Sequence, residues 1–258
     1  MRLMKRILSA AAVLALSASL LVGCSSGTAS SVPVSASSAA ESTVSSVEET
    51  ASSAVDENEA AAAQLLNDLT GSYQELWPVI LADEYKQTWL DDCTALVGEE
   101  NAEAAFEKLS SMVTSDVYGE DAVEAYANGG GAYFCGFTNS LATLTFDGET
   151  STISGTDKDG NVLFSHTYHY IGMEPVHGLY EFESDDADSG EFTYFFLAPD
   201  TSAETYHIEF RYGSDAEALS QYDAGEYAYW VASGISTDCD QTMIDNCIEL
   251  FCNENLAG

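Results

Sequence analysis

Apolar positions along this chain change their period twice. Over residues 57–69, Ala62, Leu65, Leu66 and Leu69 recur at helical spacing. Residues 83–96, with Tyr85, Trp89 and Leu96 inward, and 101–113, with Ala105, Phe106, Leu109 and Val113 on one stripe, repeat that pattern. Between the first two segments Gly71 punctuates the run 66–80, and Pro78 suits a first helical turn or a break. After the junction Gly129-Gly130-Gly131 the period shortens to two, and strands are expected at 141–146, 150–154, 162–171, 178–184, 191–198 and 205–212. Asp147-Gly148 and Asp157-Lys158-Asp159-Gly160 carry hairpin chemistry, and an acidic turn follows at 185–190. Helix returns at Ser214-Asp215-Ala216-Glu217, a capping-box pattern. Residues 240–253 then place Met243, Ile244, Cys247, Ile248 and Phe251 on one face of a last helix. Consecutive short strands with tight turns predict an antiparallel meander closed as a barrel. The fold class is therefore mainly β with flanking helices, in one domain spanning 60–258.

One stretch concentrates the functional question. Residues 194–212 hold two dense β-type runs meeting at Ala198-Pro199, and the second carries a histidine inside its pattern. In an extended strand Thr205, His207, Glu209 and Arg211 share one face, and Tyr206, Ile208 and Phe210 the other. The apolar set reads as a core wall. The polar set faces either water or a wet cavity.

The N-terminus changes the cellular setting. Arg2, Lys5 and Arg6 precede an apolar run over 7–21 that ends in Leu21-Val22-Gly23-Cys24. This is the layout of a secretory signal. The ending resembles the bacterial lipoprotein box, which implies lipidation of Cys24 and anchoring outside the cytoplasm rather than a spanning helix. Residues 25–59 are Ser-, Ala-, Thr-, Val- and Glu-rich, without aromatic residues, Lys or Arg, and are expected to be a disordered tether.

Charge excludes some partners. The formal net charge is −36; with the three basic residues of residues 1–24 set aside, four Lys and Arg stand against 43 Asp and Glu, a formal −39. Such a surface repels phosphate backbones, so nucleic acid is not expected as a partner. It serves either solubility or the loose gathering of divalent cations. Cys93, Cys135, Cys239, Cys247 and Cys252 allow up to two disulfides with open connectivity, although Cys247 and Cys252, five apart on one helix, point to different sides. No C-x-x-C, H-E-x-x-H or G-x-S-x-G occurs, the glycine triplet lacks the phosphate-loop lysine, and Asp157–Asn161 lacks the rest of a calcium loop. No enzymatic activity is expected.

The segments 66–80, 165–172 and 178–183, and Ala198-Pro199 followed by Tyr206-His207-Ile208 and a helix start at Gly213-Ser214-Asp215-Ala216-Glu217, resemble the ZinT/YodA family, found also at the C-terminal end of AdcA-type zinc-binding lipoproteins. The resemblance covers most of 64–222, with an insertion between about 95 and 135. It implies a lipocalin-like (calycin) barrel outside the cytoplasm that binds zinc or another divalent metal and supports metal scavenging or uptake, with an ABC-type metal-uptake transporter as a partner. The family's zinc cluster takes one histidine before the Ala-Pro turn, a His-x-His after it and another near the C-terminus. Here those positions read Phe195, Thr205-Tyr206-His207 and no histidine, so His207 alone matches. Glu209, on the same face, is the candidate second ligand or the acceptor that orients the ring. His166 and His169 lie on opposite strand faces and cannot join one cluster, and His177 is expected at the surface of a turn. The alternative function is a barrel with a degenerate metal site that takes a small apolar ligand or a protein partner.

Overall fold

The computed structural model describes residues 57–198 and 207–257. The expected signal segment with Cys24, most of the expected tether, Pro199, Thr205 and Tyr206 lie outside the described residues. Helix α1 (57–68) leads into strand β1 (Gly71–Glu75), and a short helix α2 (Leu76–Ile80) carries Pro78 in its first turn, where its missing N–H costs nothing. After a 3₁₀ turn at Asp83–Tyr85 come α3 (Lys86–Val97), α4 (Glu99–Ser111) and α5 (Glu120–Ala127). The meander follows: β2 (Thr143–Asp147), β3 (Thr152–Thr156), β4 (Val162–Met173), β5 (Tyr180–Ser184), β6 (Tyr194–Leu197) and β7 (His207–Gly213). Helix α6 (Ala216–Leu219), strand β8 (Ala232–Ser236) and helix α7 (Gln241–Leu256) complete the described chain.

The eight strands form a closed antiparallel barrel in sequence order. Six of them match the alternating segments read from the sequence. The remaining two, β1 and β8, pair with each other (Tyr73↔Ser236, Gln74↔Ile235, Glu75↔Gly234) and so close the barrel. Closure leaves no exposed strand edge. Asp157 accepts bonds from the backbone N–H groups of Asp159 and Asn161 and from the Asn161 amide, each at 2.9 Å, which makes this segment the expected hairpin turn. The helix cap after β7 falls one residue later than the sequence pattern suggests. Asp215, not Ser214, accepts from the N–H groups of Glu217 (2.9 Å) and Ala218 (3.1 Å).

Two apolar clusters hold the molecule. The first fills the barrel and takes in Ala62, Leu65, Leu66 and Leu69 of the α1 region. Its aromatic rings pack side by side, with Phe195 and Tyr212, cross-strand partners on β6 and β7, at 5.4 Å and Tyr212 to Trp230 at 5.0 Å between centroids. The second lies outside the barrel wall, where Trp77, Ile80, Trp89, Leu109, Ile248 and Phe251 of α2, α3, α4 and α7 pack with Ile235 of β8. Tyr85, Leu96 and Phe106, expected inward, sit at its margin, half-buried. The five described cysteines, Cys93, Cys135, Cys239, Cys247 and Cys252, are free thiols. Among the described residues no helix is long and apolar enough to cross a membrane.

Candidate metal centre

The alternation of β7 divides its side chains between the two clusters. Ile208, Phe210 and Tyr212 point into the lumen, as the apolar set should. His207, Glu209 and Arg211 therefore face away from the lumen, toward the layer of helices outside the wall. That face is neither open to water nor a wet cavity. His207 is 6% exposed, Arg211 is fully buried and Glu209 is half-buried.

His207 and Glu209 border a small cleft of about 20 Å³ with Leu76, Trp77 and Ile80 of α2 and with Cys247, Leu250, Phe251 and Glu254 of α7. A void of that size holds about one water molecule or one bare ion. Trp77 and Phe251 form one wall, edge to face at 4.7 Å. Cys247 and Glu254 reach the cleft together because seven residues make two helical turns, which returns them to the same face of α7. The cleft thus gathers an imidazole, two carboxylates and a thiol, all of them zinc-ligand chemistries. Among the described residues, however, no group of three or more His, Cys, Asp or Glu is arranged to hold a metal ion as it stands.

Burial sets the protonation of these groups. Desolvation lowers the His207 pKa to about 4, so the ring is neutral at pH 7 and in the form a metal requires. The same effect pushes the Cys247 thiol up to about 12, so an incoming metal would have to displace its proton.

Arg211, the fourth member of the expected polar face, belongs to a different task. Its guanidinium donates to the carbonyl oxygens of Leu219, Gln221 and Tyr227 and lies 4.2 Å from the Tyr222 ring centroid. It pins the 219–227 segment against the barrel.

The other histidines stay apart from this cleft. His166 Nδ1 lies 2.7 Å from Asp186 Oδ2 and His169 Nδ1 lies 2.7 Å from Asp185 Oδ1, from opposite faces of β4, as their spacing requires. His177 is not the surface residue its turn suggests. Its side chain is 11% exposed, its ring packs on Tyr222 at 3.8 Å, and its Nδ1 lies 3.5 Å from Glu174 Oε2. Burial alone would raise the Glu174 carboxyl, but the nearby His177 side chain and the bonds donated by the His177 and Val176 N–H groups outweigh it and hold that carboxyl below its usual range. Beyond Trp77 a wider cleft of about 310 Å³ is walled mostly by apolar side chains, including Pro78, Leu81, Val113 and Phe134. Its carboxylate, Glu75, already accepts the Phe137 N–H at 2.6 Å.

No family model matches the chain, and no curated protein matches it in sequence. Among solved structures it is similar to the Zn(II)-bound ZinT-like domain of AdcA from Streptococcus pneumoniae, at 15% identity and TM-score 0.45, over 71% of this chain and 89% of that domain. Zn(II)-bound AdcA from the same organism aligns at 14% identity and TM-score 0.43, over 72% of this chain; the chain spans 35% of that protein's length. The likeness is one of structure alone, and at this level it assigns no residue a role.

Proposed function

We propose that the chain is a binding protein, not an enzyme, that captures a divalent metal ion at the cleft between β7 and α7. Zinc is favoured by the character of the donors. The carrying observation is that His207, Glu209, Cys247 and Glu254 border one cleft with room for about one ion. The neutral state of the buried imidazole supports it further. In this reading the ion is cargo, and the donors close on it by side-chain rearrangement, since no three of them are arranged about one point beforehand. Lipidation at Cys24 would hold the protein at the outer face of the cell membrane, where it would support metal scavenging or delivery to an uptake transporter.

Calorimetric titration of the metal-stripped protein with zinc tests this. Millimolar Mg²⁺ in the buffer occupies the loose sites that 43 carboxylates create. The expected result is one saturable zinc site, weakened by roughly 10-fold or more in His207→Ala and in Glu254→Gln, the scale on which loss of metal-site residues acts. A featureless heat under Mg²⁺, or equal affinity in wild type and both variants, would overturn the reading.

A further inference from the structure

We propose that Cys93 of α3 and Cys252 of α7 are a disulfide-forming pair that staples the two helices of the outer layer together. Their Sγ atoms lie 4.0 Å apart across a sequence separation of 159 residues, and both residues are fully buried. The sulfurs need to approach by about 2 Å to bond, a shift of the size that χ1 adjustment supplies on two helices already packed together. That packing is well fixed. Trp89, one turn before Cys93, meets Phe251, the neighbour of Cys252, edge to face at 6.0 Å, and its Nε1–H donates to the Ile80 carbonyl at 2.7 Å. Competing partners are poorly placed. Cys247 sits five residues from Cys252 on the same helix, Cys135 lies beside Trp77 and Ser233, and Cys239 lies near Cys247.

The chemistry is thiol–disulfide exchange with a donor disulfide, either a low-molecular-weight disulfide or that of an oxidoreductase. The thiolate of one cysteine attacks a donor sulfur and expels one donor thiolate, giving a mixed disulfide. The second protein thiolate then attacks the protein sulfur of that bond and expels the other. The two thiol protons end on the two donor thiols, and the donor is reduced by the two electrons the protein loses. Burial pushes both protein thiols above their usual range. Exchange therefore proceeds before α7 docks, during folding, and the finished bond is shielded from reductant afterwards. An exported protein meets the oxidising setting in which such bonds persist. The closed loop spans most of the folded domain, the geometry in which a crosslink most restricts the unfolded chain. The staple would also hold α7, which carries Cys247 and Glu254, against α3, but it does not depend on any metal being bound.

The full chain refolded with reduced and oxidised glutathione provides the test. After alkylation in denaturant, a non-reducing peptide map should show the Cys93 and Cys252 peptides joined. The oxidised protein should melt roughly 10 °C above the same protein treated with dithiothreitol. Cys93→Ala should lose both the linked peptide and the response to reductant. Since the wild-type comparison requires no substitution, a poorly folding variant does not blunt the test. Recovery of Cys93 and Cys252 as alkylated thiols or joined to other cysteines, or a melting temperature indifferent to reductant, would overturn the proposal.

Discussion

At the scale of single residues, His207 makes the strongest pH argument in the molecule. Its pKa falls from 6.5 to about 4 because the folded protein desolvates the ring. Between those values the unfolded chain takes up a proton that the folded one refuses, so stability drops as pH falls. In the metal-free protein the contribution is complete above about pH 6.5 and is lost progressively down to about pH 4. A displacement of that size corresponds to about 3 kcal/mol. Urea denaturation of wild type and His207→Gln from pH 7.5 to 4 should show the two stabilities converging as acid is added, whatever the carboxylates do in common. Parallel curves would mean that His207 does not titrate as a buried group. The residue and its strand neighbour Glu209 were legible in the sequence, since both lie on one face of a period-two segment. Cys247 and Glu254 were not. They reach the cleft through the docking of α7 outside β7, a tertiary contact with no local signature, and the seven-residue spacing offered the one available cue.

At the scale of elements, the contact between α1 and the β2–β3 turn is fixed by a side chain that is absent. A Cβ on Gly148 would stand 2.4 Å from Asn67 Cα and 2.6 Å from the Leu66 carbonyl oxygen, backbone atoms that cannot swing aside. The Gly148 N–H also donates to Thr70 Oγ1 at 3.0 Å. Gly148→Ala should therefore push α1 off the turn and cost about 1–3 kcal/mol, read as a lower urea midpoint with unchanged slope. A midpoint equal to wild type would show that α1 is not seated there. The same turn was readable from Asp147-Gly148, and strands β2 to β7 announced themselves by alternation. Strand β8 did not, for a physical reason. Ala232, Ser233, Gly234 and Ile235 are all buried, with the barrel interior on one side and the helical layer on the other, so no polar face remains to mark a period of two. Its small residues serve close approach instead: a Cβ on Gly234 would meet Ile208 Cγ1 at 3.1 Å. Strand β1 was hidden between two helical segments, where five residues with one fully buried position, Tyr73, give too little pattern to read.

At the scale of the whole molecule, charge bears on the proposed attachment to a membrane. Of the four cationic side chains after residue 24, Arg211 is fully buried and bonded to backbone carbonyls, Lys86 and Lys158 pair with Glu103 (3.9 Å) and Asp159 (2.8 Å), and Lys108 is exposed in the last turn of α4. The surface is thus overwhelmingly anionic, and an anionic lipid surface repels rather than attracts it. Among the described residues no helix can span the bilayer either. In the proposed reading attachment comes from the N-terminus, where acyl groups on Cys24 would supply it at about 0.8 kcal/mol per buried methylene. Such an attachment has a signature opposite to that of a peripheral protein. Washing membranes with molar salt screens the repulsion between the protein body and the lipid, so the protein should remain bound, and only detergent should release it. The N-terminal peptide recovered from the detergent extract should begin at Cys24 and carry the mass of its acyl chains, a mass that Cys24→Ser abolishes. Release by salt alone, or an unacylated N-terminus in the membrane fraction, would rule out the anchor and with it the placement of the proposed metal cleft at the membrane surface.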